Sequence, residues 1–165
     1  MNHRQIMIIF LSMKTKTLSL LFCTVILFSC NSNDDHKKDL SAELKGTWKL
    51  VSSTIVTKGK STFTDYTREQ QMIKIINDTH FAFLKHDLKL NKEGKNNFDA
   101  GGGTYTLSGN QYTEHLDYYN DKNWEGKTFD FKIKIQHDTL FQTGIEKVEK
   151  ANIDRTITER YVRVK

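Results

Sequence analysis

The sequence predicts an all-β fold, an antiparallel up-and-down β-barrel of eight or nine strands. Residues that favour strands, namely Thr, Val, Ile, Tyr and Phe, recur from residue 46 to the C-terminus. Apolar and polar residues alternate there over short runs, as in strands with one buried face. Turn signals of Gly, Asn and Asp separate these runs, and the chain has no proline. Closure of such a short-stranded sheet into a barrel would remove its exposed edges.

The N-terminal segment has the features of a secretory signal peptide. The basic residues Arg4, Lys14 and Lys16 precede TLSLLFCTVILFS, an apolar run of 13 residues. A membrane-spanning helix needs roughly 20 residues, so this run fits a signal-peptide core better. MKTK is the best basic region, which makes Met13 the expected start rather than Met1. The alternative is a signal-anchor helix over residues 6–28, which the two lysines would interrupt.

The stretch LFSC at residues 27–30 resembles the lipobox of bacterial lipoproteins, whose cysteine is acylated and becomes the first mature residue. This resemblance implies a signal peptide over residues 1–29 and a lipidated N-terminus with a polar tether over residues 30–40. It also implies a membrane partner held through Cys30, because two or more acyl chains anchor a protein stably. The expected location is the bacterial outer membrane or cell surface.

The tether begins NSNDD, which resembles the acidic export signal of Bacteroidetes lipoproteins; the alternative is a solvated linker. Cleavage would leave no cysteine besides Cys30, so we expect no disulfide in the folded part. Three of the 25 basic residues would leave with the signal, which brings the chain closer to neutrality. With no Lys/Arg-rich run and no aromatic RNA-binding motif, we expect no nucleic-acid partner.

The elements follow in order along residues 41–165. HKKDLSAELKG predicts one helical turn before the domain, GTWKLVSSTIV the first strand and RTITERYVRVK the last. Long loops are expected at 85–102 and 120–127, and GIEKVEKANIDR fits either a short helix or a hairpin loop. Three hairpins are predicted from turn residues at Asn77-Asp78, Gly109-Asn110 and His137-Asp138.

FDFKIKI, at residues 129–135, shows the alternation most clearly. Phe129, Phe131, Ile133 and Ile135 share one face, and acidic and basic residues share the other. A period of two describes a strand that is buried on one side.

Gly46-Thr47-Trp48, at the start of the first strand, resembles the G-x-W hallmark of lipocalins. Together with GGGTYTLSGNQYTEHLDYY and FDFKIKIQHDTLFQTG, it is similar to the lipocalin-like (calycin) domains of small Bacteroidetes lipoproteins, over residues 41–165. The resemblance implies that Trp48 closes one barrel end beneath Arg160 or Arg163 through a cation–π contact. Thr64-Asp65-Tyr66 lies too early to be the mid-barrel lipocalin motif, so a retinoid- or haem-like ligand is not implied.

Candidate ligand-binding residues come from the face that strand 111–119 shares with its neighbour. Tyr112, Glu114 and Tyr118 lie in one phase, and Tyr105 joins them from the preceding strand. A carboxylate among aromatic residues needs a partner or carries a raised pKa. We therefore expect a tyrosine-lined cavity with Glu114 as its polar anchor, and Glu159 as a second inward residue.

Two alternatives remain open for Glu114. It could form a structural ion pair with Arg155, Arg160 or Arg163. A register slip of one residue would place its neighbours His115 and Asp117 inside instead.

Other motifs point away from catalysis. The histidines are scattered among turns and strand ends, so we expect no metal site. Gly101-Gly102-Gly103 precedes a strand rather than a helix, which predicts a bulge or close backbone approach at a barrel corner rather than a phosphate loop. No nucleophile elbow is present. We expect no catalytic residue and no cofactor; a hydrolase built on a Glu114–Glu159 pair is the disfavoured third hypothesis.

The sequence therefore predicts a membrane-anchored, non-enzymatic lipocalin-like lipoprotein that binds a small, largely apolar ligand with a polar end. The alternative is a non-catalytic envelope interaction module with a solid barrel core, whose loops 85–102 and 120–127 bind an envelope protein. An open cavity separates the two, because a core packed to normal density leaves no room for a ligand.

Overall fold

The computed structural model describes residues 39–90 and 92–165. Within them, a short helix, α1 (Leu40–Leu44), precedes nine antiparallel strands of a single sheet, and a 3-10 turn at Glu149–Ala151 precedes the last strand. The all-β barrel predicted from the sequence is confirmed. The strands are β1 (Gly46–Thr57), β2 (Lys60–Asp65), β3 (Gln70–Ile76), β4 (His80–Asp87), β5 (Phe98–Ser108), β6 (Gln111–Tyr119), β7 (Lys127–Gln136), β8 (Thr139–Val148) and β9 (Ile153–Arg163).

Eight strands close the barrel, and β2 is the additional one. Strands β3 to β9 pair consecutively, and β1 closes the ring by pairing with β3 through residues 46–49 and with β9 through residues 48–56. β2 pairs only with the second half of β1. The described residues form one compact unit with its own hydrophobic core, as independently folding domains do.

The predicted helical turn and the three predicted hairpin turns are all present. His137 and Asp138 both have positive φ, as a two-residue type I′ hairpin requires. The loop predicted at 85–102 is shorter in the structure, because β4 extends to Asp87 and β5 begins at Phe98. GIEKVEKANIDR is strand at both ends, with the 3-10 turn between them.

One end of the barrel is closed by α1 and Trp48. Trp48 is fully buried, and its indole Nε1 donates a hydrogen bond to the carbonyl oxygen of Leu44 at 2.8 Å. The guanidinium of Arg163 lies 4.1 Å from the centre of the Trp48 ring and donates to the carbonyl oxygens of Lys45 and Glu43. Gly46 has a φ of +135°, and a Cβ there would lie 2.7 Å from Arg163 Nη1.

Arg160, the other closure candidate, does not take this position. Its side chain is exposed because the alternation along β9 turns it away from the buried Tyr161. Of the two arginines predicted to close the barrel end over Trp48, Arg163 takes that position and Arg160 does not.

The predicted bulge at the glycine triplet is present. The β5–β6 register shifts between Gly102 and Gly103, and Asp117 is the extra residue on β6. A Cβ on Gly103 would overlap the carbonyl oxygen of His115. Glycine is therefore required there by the close approach of two backbones.

Residues 1–38, which carry the predicted signal peptide and Cys30, lie outside the described residues. In the part of the chain that is described, no helix has the length and apolar character needed to cross a membrane.

Candidate functional site

A cavity of about 280 Å³ lies inside the barrel, away from the Trp48 end. All eight strands of the closed barrel contribute residues to its lining, with Tyr66 and Trp124 from connecting loops. Much of the wall is apolar and aromatic. These wall residues are Ile55, Tyr66, Met72, Phe83, Leu116, Tyr119, Trp124, Phe129, Phe131 and Ile157.

The floor of the cavity holds a buried ion pair. The Lys74 ammonium donates to Glu114 Oε1 at 2.7 Å and to Gln142 Oε1 at 3.1 Å, and all three residues are buried. The ammonium also lies 5.4–5.9 Å from the ring centres of three aromatic residues, Phe81, Tyr112 and Tyr161. Aromatic ring faces attract a cation at such distances, so the buried lysine is held by charge, hydrogen bonds and rings together.

Glu159 is the second carboxylate of this floor. It lies in phase with buried Ile157 and Tyr161 and lines the cavity. The Tyr161 hydroxyl donates to Glu159 Oε2 at 2.8 Å, and no lysine or arginine among the described residues forms an ion pair with it. Burial raises the pKa of Glu159 above its ordinary 4.5, while the Lys74 charge and this hydrogen bond hold the pKa down. Burial, and next the Glu159 charge, raise the pKa of the Tyr161 hydroxyl well above 10.

The rim of the cavity carries two further ion pairs. Lys85 Nζ lies 3.0 Å from Asp99 Oδ2, and Arg155 Nε lies 2.5 Å from Glu146 Oε2. The Arg155 guanidinium also lies 5.6 Å from the ring centre of Trp124. Burial, with the neighbouring Asp99 charge, raises the pKa of Tyr119 to about 12.

Of the five candidate ligand-binding residues, Glu114 and Glu159 line this cavity. Tyr112 is fully buried in the core next to Lys74, and its ring centre lies 5.2 Å from that of Tyr105. Tyr105 lies nearer the closed end, where its hydroxyl donates to the carbonyl oxygen of Asn77 at 2.7 Å. Neither tyrosine forms part of the cavity wall.

The prediction that Tyr118 lines the cavity is wrong. Its side chain is 71% exposed on the outside of the barrel. The extra residue Asp117 inverts the alternation along β6, so that Tyr119 takes the inward position. A strict period of two cannot anticipate this change of phase.

Glu114 is paired, but with Lys74 rather than with any of the three arginines considered from the sequence. The register alternative is also wrong, because His115 and Asp117 are exposed. Sequence reasoning missed Lys74 because MIKII is apolar on both faces. The only signal was that Lys74 shares a phase with Met72 and Ile76.

No group of three or more His, Cys, Asp or Glu side chains within residues 39–90 and 92–165 is arranged to hold a metal ion. Each of the three cationic side chains that line the cavity is instead paired with a carboxylate. The arrangement suits binding of an amphipathic small molecule, with apolar walls above a polar floor.

Comparison with known proteins gives one family match. A family model described as a domain of unknown function, DUF4488, matches residues 43–165. No curated protein matches the chain in sequence.

Several solved structures show weak similarity, and three of them are as follows. A lipocalin-like protein from Bacteroides uniformis has 19% identity and a TM-score of 0.44, covering 74% of this chain and 99% of its own. An uncharacterized protein from Bacteroides eggerthii has 14% identity and a TM-score of 0.40, covering 73% and 98%. The siderocalin Ex-FABP has 9% identity and a TM-score of 0.40, covering 74% of each chain.

Proposed function

The chain belongs to the DUF4488 family of domains of unknown function, and we propose that it is a non-enzymatic, membrane-anchored lipoprotein that binds a small, largely apolar ligand inside its barrel. The ligand has a polar end that reaches the charged floor. The proposed anchor is an acylated Cys30, and the proposed location is the outer membrane or cell surface.

The cavity is the observation that carries this proposal. Its volume of about 280 Å³ lies just below the range of roughly 300–1,000 Å³ that is typical of ligand pockets. Seven aromatic rings line it, those of Tyr66, Phe83, Tyr119, Trp124, Phe129, Phe131 and Tyr161. Apolar surface of this kind supplies affinity, and a few polar groups at the floor supply orientation.

A solid-core interaction module is disfavoured by this cavity. One observation still favours a partner protein: Leu88 and Leu90 of the β4–β5 connection and Phe98 at the start of β5 are exposed, Leu90 to 67% and Phe98 to 63%. Exposed apolar side chains that lie together can mark an interaction surface. Binding measurements on the cavity distinguish the two functions.

The experiment uses a chain of residues 31–165, which retains the compact unit and lacks the acylation site. N-phenyl-1-naphthylamine, a neutral apolar dye, is titrated, and its fluorescence reports entry into an apolar cavity. Ile157→Trp should weaken dye binding by about tenfold or more, because the indole fills space that the ligand needs.

Thr158→Trp is the matched control, since Thr158 is the next residue on β9 and faces outward. Its dye affinity should equal that of the unaltered chain. Failure of the unaltered chain to bind the dye, or equal binding by the Ile157→Trp and Thr158→Trp variants, would exclude ligand binding in the barrel and leave the interaction module.

A further inference from the structure

We infer that the polar end of the ligand is a protonated amine and that Glu159 is the residue that binds it. This inference rests on the proposed function, because it concerns the occupant of the same cavity.

The pairing of charges in the cavity is the first argument. Among the described residues, three cationic and four acidic side chains line it. Each cation has its own carboxylate: Lys74 with Glu114, Lys85 with Asp99, and Arg155 with Glu146. The fourth acid, Glu159, forms no ion pair with any described residue. An anionic ligand would have to displace one of three existing carboxylates, whereas a cationic ligand meets a carboxylate that is still available.

Hydrogen-bonding capacity gives the second argument. Glu159 accepts a hydrogen bond from the Tyr161 hydroxyl at Oε2. At the rim, Asp99 Oδ1 is buried and accepts no hydrogen bond from the part of the chain that the structure describes. Buried acceptors without donors are costly, and an ammonium group supplies three donors and no acceptor. The cavity therefore has an acceptor atom without a donor, and an amine would provide hydrogen-bond donors.

The aromatic wall is the third argument. Inside this barrel, cations already lie against rings: the Lys74 ammonium is within 6 Å of three of them, and Arg155 lies over Trp124. Rings of Phe129 and Phe131 line the same cavity as Glu159. A desolvated cation next to ring faces gains electrostatic attraction that a neutral or anionic group lacks.

The state of Glu159 agrees with this geometry. Burial raises the pKa of Glu159 by more than the Lys74 charge and the Tyr161 hydrogen bond lower it. An ammonium beside it would favour the ionised form.

The test compares three small molecules that share a phenyl ring and differ in the head group: 2-phenylethylamine, 2-phenylethanol and phenylacetate. Each displaces N-phenyl-1-naphthylamine from the residue 31–165 chain at pH 7. The amine should bind about tenfold or more tightly than the alcohol, because a charge-assisted hydrogen bond is stronger than a neutral one. Phenylacetate should bind most weakly.

Two variants test whether Glu159 is responsible for the preference for the amine. Glu159→Gln keeps an acceptor for the Tyr161 hydroxyl and removes the charge, so the amine should fall to the affinity of the alcohol. Asp154→Asn removes the same charge from an exposed position on β9 and should leave the amine preference unchanged.

The outcomes separate the two proposals. If the dye binds but the alcohol or phenylacetate competes as well as the amine, or none of the three competes, amine recognition is overturned and ligand binding stands. If the amine preference survives Glu159→Gln, the assignment to Glu159 is overturned. If the unaltered chain does not bind the dye, the proposed function and this inference fail together.

Discussion

At the residue scale, Lys74 organises the barrel interior. Its ammonium contacts a carboxylate, an amide oxygen and three aromatic rings, although only 3% of its surface is exposed. Two buried charges stabilise one another only while both are present, because either alone keeps its full desolvation cost. The pair therefore fixes the position of Glu114, and the Lys74 charge also lowers the pKa of Glu159.

Removal of Lys74 should be strongly destabilising. Lys74→Met should lower the free energy of unfolding by about 3–5 kcal/mol, since Glu114 is left buried without a partner. Adding Glu114→Leu to the same chain should restore most of the loss, because an apolar pair replaces the ion pair. Urea unfolding followed by circular dichroism measures both.

Lys134→Met is the control, because Lys134 faces outward on β7 and should change stability by less than about 0.5 kcal/mol. A double variant as unstable as Lys74→Met alone would contradict the coupling between Lys74 and Glu114.

The candidate site was predictable in part. Period-two alternation placed Glu114 and Glu159 inside, and both line the cavity. Lys74 was not predictable, because β3 is apolar on both faces and the pattern does not say which one is buried. Tyr119 was not predictable, because its inward direction depends on the extra residue Asp117.

At the element scale, the strands follow from alternation and the turns from their Gly, Asn and Asp residues. Phe129, Phe131 and Ile133 of β7 are buried, as the period-two pattern requires. The glycine triplet indicated a bulge at the right place on β5. It did not show that the extra residue belongs to β6, because that depends on the pairing of two strands and not on the composition of one.

The bulge makes Gly103 the most constrained glycine of β5. Gly103→Ala should reduce the free energy of unfolding by about 3 kcal/mol or more, since its Cβ would overlap backbone atoms of β6 that cannot move independently. Thr106→Ala, at an exposed position of the same strand, should cost less than about 1 kcal/mol. Comparable losses for the two variants in urea unfolding would argue against the close approach.

At the scale of the whole molecule, the two ends of the barrel differ, because one is closed and the cavity lies toward the other. The chain enters the barrel through α1, whose Leu44 is fully buried beside Trp48 at the closed end. The cavity lies toward the opposite end, where the β4–β5, β6–β7 and β8–β9 connections meet.

The proposed anchor is tested with the two cysteines of the chain, Cys23 and Cys30. In the native host, the full chain should fractionate with membranes, and Cys30→Ser should move it to the soluble fraction, because loss of the acylated thiol removes the stable hydrophobic attachment. Cys23→Ser is the matched control: it changes the same residue type seven positions earlier, inside the apolar run, and should leave the protein with the membranes. A signal-anchor helix gives the opposite result, since its apolar run is unaffected by Cys30→Ser and the variant would stay membrane-bound. If Cys30→Ser stays with the membranes, the anchor is an uncleaved helix rather than an acylated cysteine. The barrel and its cavity would remain as described.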